Sequence, residues 1–219
     1  QKKSKIRWRD VPWGTAPIRN ALIGGLLISL IYSGIVPSTL SYVVDYHYTD
    51  AVVLFGLTMT AAALSGYMQA ARWAWEPFLA SRFGGMSDGA RGRLPMLRLS
   101  LVVGAASMAL IPLKLPLLVW IGLVLITMLA ATSLNTLSDT LAADAAKTTD
   151  SVSLITVYAL VTDLGAALGP LLAYALLDMA GGVQVVYFGG ALVLLLMIAQ
   201  WRRPGKADQP AREPLRQSV

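Results

Sequence analysis

Apolar residues in this chain gather into six runs of membrane-spanning length, Ala21–Val44, Ala51–Leu79, Leu97–Leu113, Leu115–Ala143, Ser151–Leu177 and Val183–Trp201. A bilayer core about 30 Å thick needs about 20 apolar residues in a helix to cross it, whereas a barrel strand needs only about 10. Lipid offers the backbone no water to bond, so runs of this length span as helices that satisfy their own amides. Charged residues make up 14% of the chain, against about 25% in soluble domains, and mean hydropathy is +0.61. The sequence therefore predicts an all-α membrane protein. Residues 19–201 form a six-helix transmembrane domain, preceded by a basic linker at 1–18 and followed by a tail at 202–219. The tail is rich in Pro, Gln and charge, with too little apolar content to fold, and is expected to be disordered.

The net charge of +6 and a pI near 9.7 invite a nucleic-acid reading. The distribution argues against it, because the basic residues sit at alternate ends of the apolar runs. Lys2, Lys3, Lys5, Arg7, Arg9 and Arg19 precede the first run, and Arg82, Arg91, Arg93 and Arg98 surround the second link. Arg202, Arg203, Lys206, Arg212 and Arg216 follow the last run, while the links on the opposite side hold only Lys114. Lys and Arg mark cytoplasmic loops, so both termini are expected in the cytoplasm, in the inner membrane if the source is bacterial. The first run is too long for the apolar core of a signal peptide. The chain has no cysteine and one histidine, His47, which excludes thiolate chemistry and multi-histidine metal sites. No cofactor is expected. An intramembrane enzyme lacks its nucleophile–base spacing and its paired carboxylates, so an enzyme is not expected either.

Polar residues recur at helical spacing in four of the six runs. The second carries Thr58, Ala62, Ser65, Gln69, Arg72 and Glu76, and the first carries Ser29, Ser33, Pro37 and Ser41. The fourth has Thr127, Ala131, Asn135 and Asp139, with Ser138 beside them. The fifth has Tyr158, Thr162, Gly165, Gly169 and Ala173, with Asp163 beside the stripe. Such spacing lines one helix face. Polar groups facing lipid are costly, so these four helices should line protein or water, leaving the third and sixth toward lipid. The alternative reading of small and hydroxyl residues is packing glue between helices. The cavity candidates are Ser33, Ser65, Gln69, Asn135, Tyr158 and Thr162. Arg72 and Glu76 stand four apart and are expected to pair. Asp163, near the middle of its run, is either a proton or cation coupling site or a packing acid with a partner elsewhere.

The link Gly84-Gly-Met-Ser-Asp88-Gly-Ala-Arg91-Gly92-Arg93 resembles the cytoplasmic signature G-x-x-x-D-[RK]-x-G-R of Major Facilitator Superfamily transporters. Gly84 and Asp88 match its spacing. Gly92 and Arg93 follow one residue late, and Gly89 replaces the base. Arg72-Trp-Ala-Trp-Glu76-Pro77 leads into that link as in many members, and Gly165-Ala-Ala-Leu-Gly169-Pro170 resembles a shortened antiporter stretch. With the plain third and sixth runs, the chain from Ile18 to Trp201 looks like the C-terminal six-helix half of such a transporter.

The resemblance implies a 3+3 inverted repeat and alternating access about a midplane site between two halves. It implies a small-molecule substrate, transport that is proton-coupled export, and a partner: an N-terminal half in the same or another chain, or a second copy of this one. Beginning at Gln1 rather than Met, the chain fits the end of a linker between halves. Asp88 would either sit at the cytoplasmic seam between halves or cap the third helix. Arg91 and Arg93 would either pair with Asp139 or only anchor topology. Gly165, Gly169 and Pro170 would permit a close, bent helix contact. The alternative is a transport-inactive anchor or assembly module. Partners are the lipid bilayer and these, with no nucleic acid. An antibody against residues 202–219 should detect, in native membranes, a species of at least about twice the chain's 23.4 kDa, as covalent halves require. A species at the chain's own mass would point to a separate partner half, a homodimer or an anchor.

Overall fold

The computed structural model describes residues 14–48, 52–54, 56–87, 93–147 and 151–201. The first run forms α1 (Ala16–Ser29), a π-helical segment (Leu30–Ile35) and α2 (Val36–His47), which follow one another as a single span. A hairpin, β1 (Val52–Leu54) and β2 (Leu57–Met59), precedes α3 (Ala61–Ser87). Four helices follow: α4 (Arg93–Leu110), α5 (Leu117–Ala146), α6 (Ser151–Leu177) and α7 (Gly182–Gln200). Among the described residues five segments are long and apolar enough to cross a bilayer: Ala16–His47, α4, α5, α6 and α7. The protein is an integral membrane protein of α-helical type. At 27 residues α3 is about 40 Å long, but its polar residues keep it below that apolar standard.

Two boundaries differ from the sequence reading. The second run does not start as a helix at Ala51. β1 and β2 pair antiparallel, with Val52 opposite Met59, and Gly56 turns the chain at φ 81°. Thr60 then starts α3, its Oγ1 accepting the Ala63 N–H at 3.2 Å. Thr58 therefore stands on a strand, off the helical stripe. At the other end α3 runs beyond Leu79 to Ser87, so Arg82 and Gly84 belong to a helix and not to a loop. Each glycine costs a helix only about 1 kcal/mol against alanine, less than freeing the backbone amides near lipid. Asp88, Arg91 and Gly92 lie outside the described residues, as do the basic linker through residue 13 and the tail from residue 202.

The apolar helices are not merely a lipid-facing shell. α4 and α7 pack on each other, and α4 also packs along α5. Two serines of α4 meet α5: Ser100 pairs with Ser133 at 2.7 Å and Ser107 accepts from Thr127 at 2.9 Å. Their outer faces keep Leu99, Val102, Leu192 and Leu196 exposed, as a lipid boundary requires. At the far turn the Tyr48 hydroxyl donates to the Leu115 carbonyl at 2.6 Å and its ring meets Trp120 edge-on. His47, the last residue of α2, is buried. At the opposite end Arg98 donates to the Trp201 carbonyl at 2.6 Å and Asn20 to the Gln200 carbonyl at 3.4 Å, closing the carbonyl end of α7.

The first span and α6 meet backbone to backbone. A Cβ on Gly34 would stand 2.7 Å from the Gly169 Cα, and one on Gly169 would stand 2.5 Å from the Gly34 Cα. One on Gly165 would meet the Leu26 carbonyl oxygen at 2.5 Å. Backbones touch here because these positions carry hydrogen only. Ser29 adds a hydrogen bond to the Thr162 carbonyl at 2.7 Å. Gly169→Ala should therefore destabilise the bundle by about 1–3 kcal/mol, read as a lower thermal midpoint in detergent. Gly189, with open space around its Cβ position, provides the control: its alanine variant should be neutral or stabilising.

Candidate functional site

Around that crossing the helices splay and leave a cleft of about 310 Å³. The first span contributes Gly25, Ser29 and Ser33, spaced four apart along a single face, with Ile28 beside them. α5 contributes Asn135, Ser138 and Asp139; α6 contributes Tyr158, Thr162, Asp163 and Ala166; α3 contributes Glu76. The cleft lies in the half of the bundle nearer the ends at Ala16, Ala146 and Ser151. Its wall is polar and, among the described residues, carries three carboxylates and no Lys, Arg or His.

Gly25 makes the site possible. A Cβ there would lie 2.5 Å from the Tyr158 ring, so its hydrogen leaves the space the phenol occupies. The placed Tyr158 hydroxyl donates to Asp139 Oδ1 at 2.9 Å and lies 3.0 Å from Ser138 Oγ. That contact fixes one carboxylate on the wall. Glu76, on the facing helix, is close enough for the two charges to interact. The Glu76 Oε2 atom is out of contact with solvent and has no hydrogen-bond partner. Asp163 and Ser33 are exposed at the mouth, and Asn135 and Thr162 are half-buried. The arrangement can accept hydrogen bonds and hold positive charge or protons. Among the described residues no cluster of His, Cys, Asp or Glu is placed to hold a metal.

Of the cavity residues read from the sequence, Ser33, Asn135, Tyr158 and Thr162 come together here, joined by Asp163. Ser65 and Gln69 do not: Ser65 is buried and bonds the Ala62 carbonyl of its own helix at 3.0 Å, and Gln69 stands off the cleft. Asp139 lines the cleft under Tyr158. Arg93 instead forms an ion pair with Asp144, which also takes Lys147 at 2.8 Å, and donates to the Thr140 carbonyl at 3.0 Å. The reason is reach: Arg93 opens α4 beside the last turns of α5, one turn or more beyond Asp139.

The expected Arg72–Glu76 ion pair is not formed. Arg72 is only 5% exposed, and its Nη1 donates to the Tyr32 carbonyl at 2.9 Å. Glu76 is left free to line the cleft. Gly165 and Gly169 serve as close-contact positions, and Pro170 lies half-buried inside α6. The sequence reading missed Gly25 and Glu76 as members of the site. Gly25 was findable, because it continues the four-residue spacing of Ser29, Ser33 and Pro37 toward the N-terminus.

No family model matches the sequence, no curated protein matches it, and no solved structure matches its fold. Tyr158→Phe should deprive Asp139 of its donor and lower the unfolding free energy in detergent by about 1–2 kcal/mol. Stability equal to the parent would show that the phenol does not hold the carboxylate.

Proposed function

We propose that this chain is one six-helix half of a secondary active transporter that moves a small molecule by alternating access. The observation that carries the reading is the cleft. Serine, threonine and asparagine groups and three carboxylates converge on a space open at one side of the bundle. A carboxylate facing lipid at mid-membrane costs about 2.5–3.5 kcal/mol on insertion scales. Asp163 is exposed near the middle of α6, so the cleft side faces water or a second protein element rather than acyl chains. A second half across the cleft answers that requirement, whether from the same chain, a separate chain or another copy.

Counting α3 as a span gives six and puts both termini on the basic, cytoplasmic side. Its charged residues do not forbid this, because Arg72 is buried against the first span and Glu76 faces the cleft. Tyr67, Trp73 and Phe78 supply an apolar outer surface. The Major Facilitator arrangement, with its nested 3+3 repeat, is the family form of this design. Asp163 is the proposed coupling carboxylate for proton-linked export, since it is a carboxylate at depth on a wall without bases. The competing reading, a transport-inactive anchor, needs no wet cleft.

The absence of native cysteine permits a direct test that needs no known substrate. Cysteine at Ser33, Asn135 or Thr162 should react with a membrane-impermeant maleimide in membrane vesicles far faster than cysteine at Leu134, which is buried in α5. Reaction from the cytoplasmic side in one condition and from the outer side in another is the expected pattern. Equal, slow reaction at all four positions from both sides would leave the cleft dry and overturn the transport reading.

A further inference from the structure

The first span breaks its own hydrogen-bond ladder beside the cleft. From Leu30 to Ile35 the turns are π-helical, and the Val36 N–H donates five residues back, to the Ile31 carbonyl. The next rung would run from residue 37 to the Tyr32 carbonyl. Residue 37 is proline and has no N–H, so Tyr32 loses that donor, while its ordinary α-helical donor, Val36, is already engaged. Tyr32 is fully buried, so water cannot supply the missing bond. Arg72 supplies it from α3, at 2.9 Å.

The neighbouring carbonyls are served locally. Ser38 bonds those of Gly34 at 2.8 Å and Ile35 at 3.0 Å, and Thr39 bonds that of Ile35 at 2.8 Å. Arg72 is thus the donor that ties the break to another helix. The tie also separates two differently held pieces. α1 and the π segment are bound to α6 through the glycine crossing, whereas α2 leans on α3. Ser29, just before the break, and Ser33, within it, form part of the cleft wall.

Arg72 is not fully committed. Its Nε is buried without a partner. One turn along α3 stands Glu76, whose charge Arg72 feels and whose buried Oε2 also lacks a partner. A single guanidinium therefore faces two acceptors, a carbonyl that holds the break and a carboxylate on the cleft wall. We propose that Arg72 is the latch of a hinge at Leu30–Pro37, and that Glu76 is the competing acceptor through which the cleft releases it. Engaging the Glu76 carboxylate from the cleft leaves Arg72 on Tyr32 and holds the span straight. Transfer of Arg72 to that carboxylate, which is unbonded in this structure, releases the Tyr32 carbonyl and lets α2 bend relative to α1. The hinge requires no particular cargo, and it stands or falls separately from the cleft-accessibility test above.

Spin labels on cysteines at Tyr46 and Val185, both exposed, report the position of α2 against α7 in the full-length protein in lipid nanodiscs. A bend of about 20° at Pro37 swings Tyr46 by about 5 Å, within the resolution of pulsed dipolar distance measurement. Arg72→Met should add a second distance displaced by about that amount. In the Pro37→Ala background the residue-37 N–H can take the Tyr32 carbonyl, so Arg72→Met should there leave one distance only. Glu76→Gln should narrow the distribution of the parent. An unchanged distribution in Arg72→Met, a failure of Pro37→Ala to suppress its second distance, or broadening in Glu76→Gln would each overturn the latch. If Arg72→Met alone does not accumulate, accumulation of the Pro37→Ala/Arg72→Met double variant is the expected rescue, and its failure overturns the proposal.

Discussion

The backbone contact between the first span and α6 governs the rest of the bundle. Gly34 and Gly169 meet with no side chain between them, and Gly165 lies against the Leu26 carbonyl. Contact this close brings polar main-chain atoms together and lets Ser29 reach the Thr162 carbonyl. It also fixes where the helices must diverge. On the side toward Ala16, α1 and α6 separate around the Tyr158 phenol, which fits only because residue 25 is glycine. The cleft is the geometric consequence of a crossing held tight at one level and wedged open at another. Larger residues at the crossing would move the helices apart and carry the Ser29, Ser33, Thr162 and Asp163 wall with them.

Lipid imposes a second constraint, that every interior polar group find a partner. The bundle meets it mostly by local pairing. Hydroxyls join α4 to α5 through Ser100–Ser133 and Thr127–Ser107, and a third buried hydroxyl pair links Thr39 to Tyr187 at 2.9 Å. Some buried polar atoms still lack a partner, at Arg98, Gln184 and Gln200 on α4 and α7 as well as beside the cleft and the hinge. Glu76 Oε2 and Arg72 Nε are buried and unbonded, within one turn of each other on α3. Unsatisfied charged groups in a low-dielectric interior are expensive. Glu76 lines the open polar cleft, and Arg72 stands one turn from it on the same helix.

Much of the architecture was legible from the chain alone. Apolar runs located the helices, with α6 matching its predicted bounds and α4, α5 and α7 shifting by only a few residues. The short corners at Pro112–Pro116 and Asp178–Gly182 were also visible, the second turning on Gly181 at φ 74°. The misreadings share one cause, the use of one-dimensional apolarity where local hydrogen bonding decides. Val52–Met59 is apolar enough to pass for a helix start, yet β-branched valines, a turn glycine and the Thr60 cap make it a hairpin. Gly84 looked like a loop residue, yet α3 passes through it because continuing the helix satisfies its amides.

For the site, the sequence determined which faces are polar, because helical periodicity is a property of the chain. It thereby identified Ser33, Asn135, Tyr158, Thr162 and Asp163, residues whose faces must turn away from lipid. It also determined that the Tyr32 carbonyl would lack a donor once the helix shifted to π geometry, since Pro37 has no N–H. Only the tertiary structure decided how those needs were met. Two residues four apart on one helix suggested an Arg72–Glu76 pair, but a buried carbonyl 40 positions away in sequence is the acceptor Arg72 uses. Arg93 likewise found Asp144 instead of Asp139. A lone sequence gives the donors and acceptors on each face, but interhelical distance and register choose among them, and those depend on glycine contacts that no single helix contains.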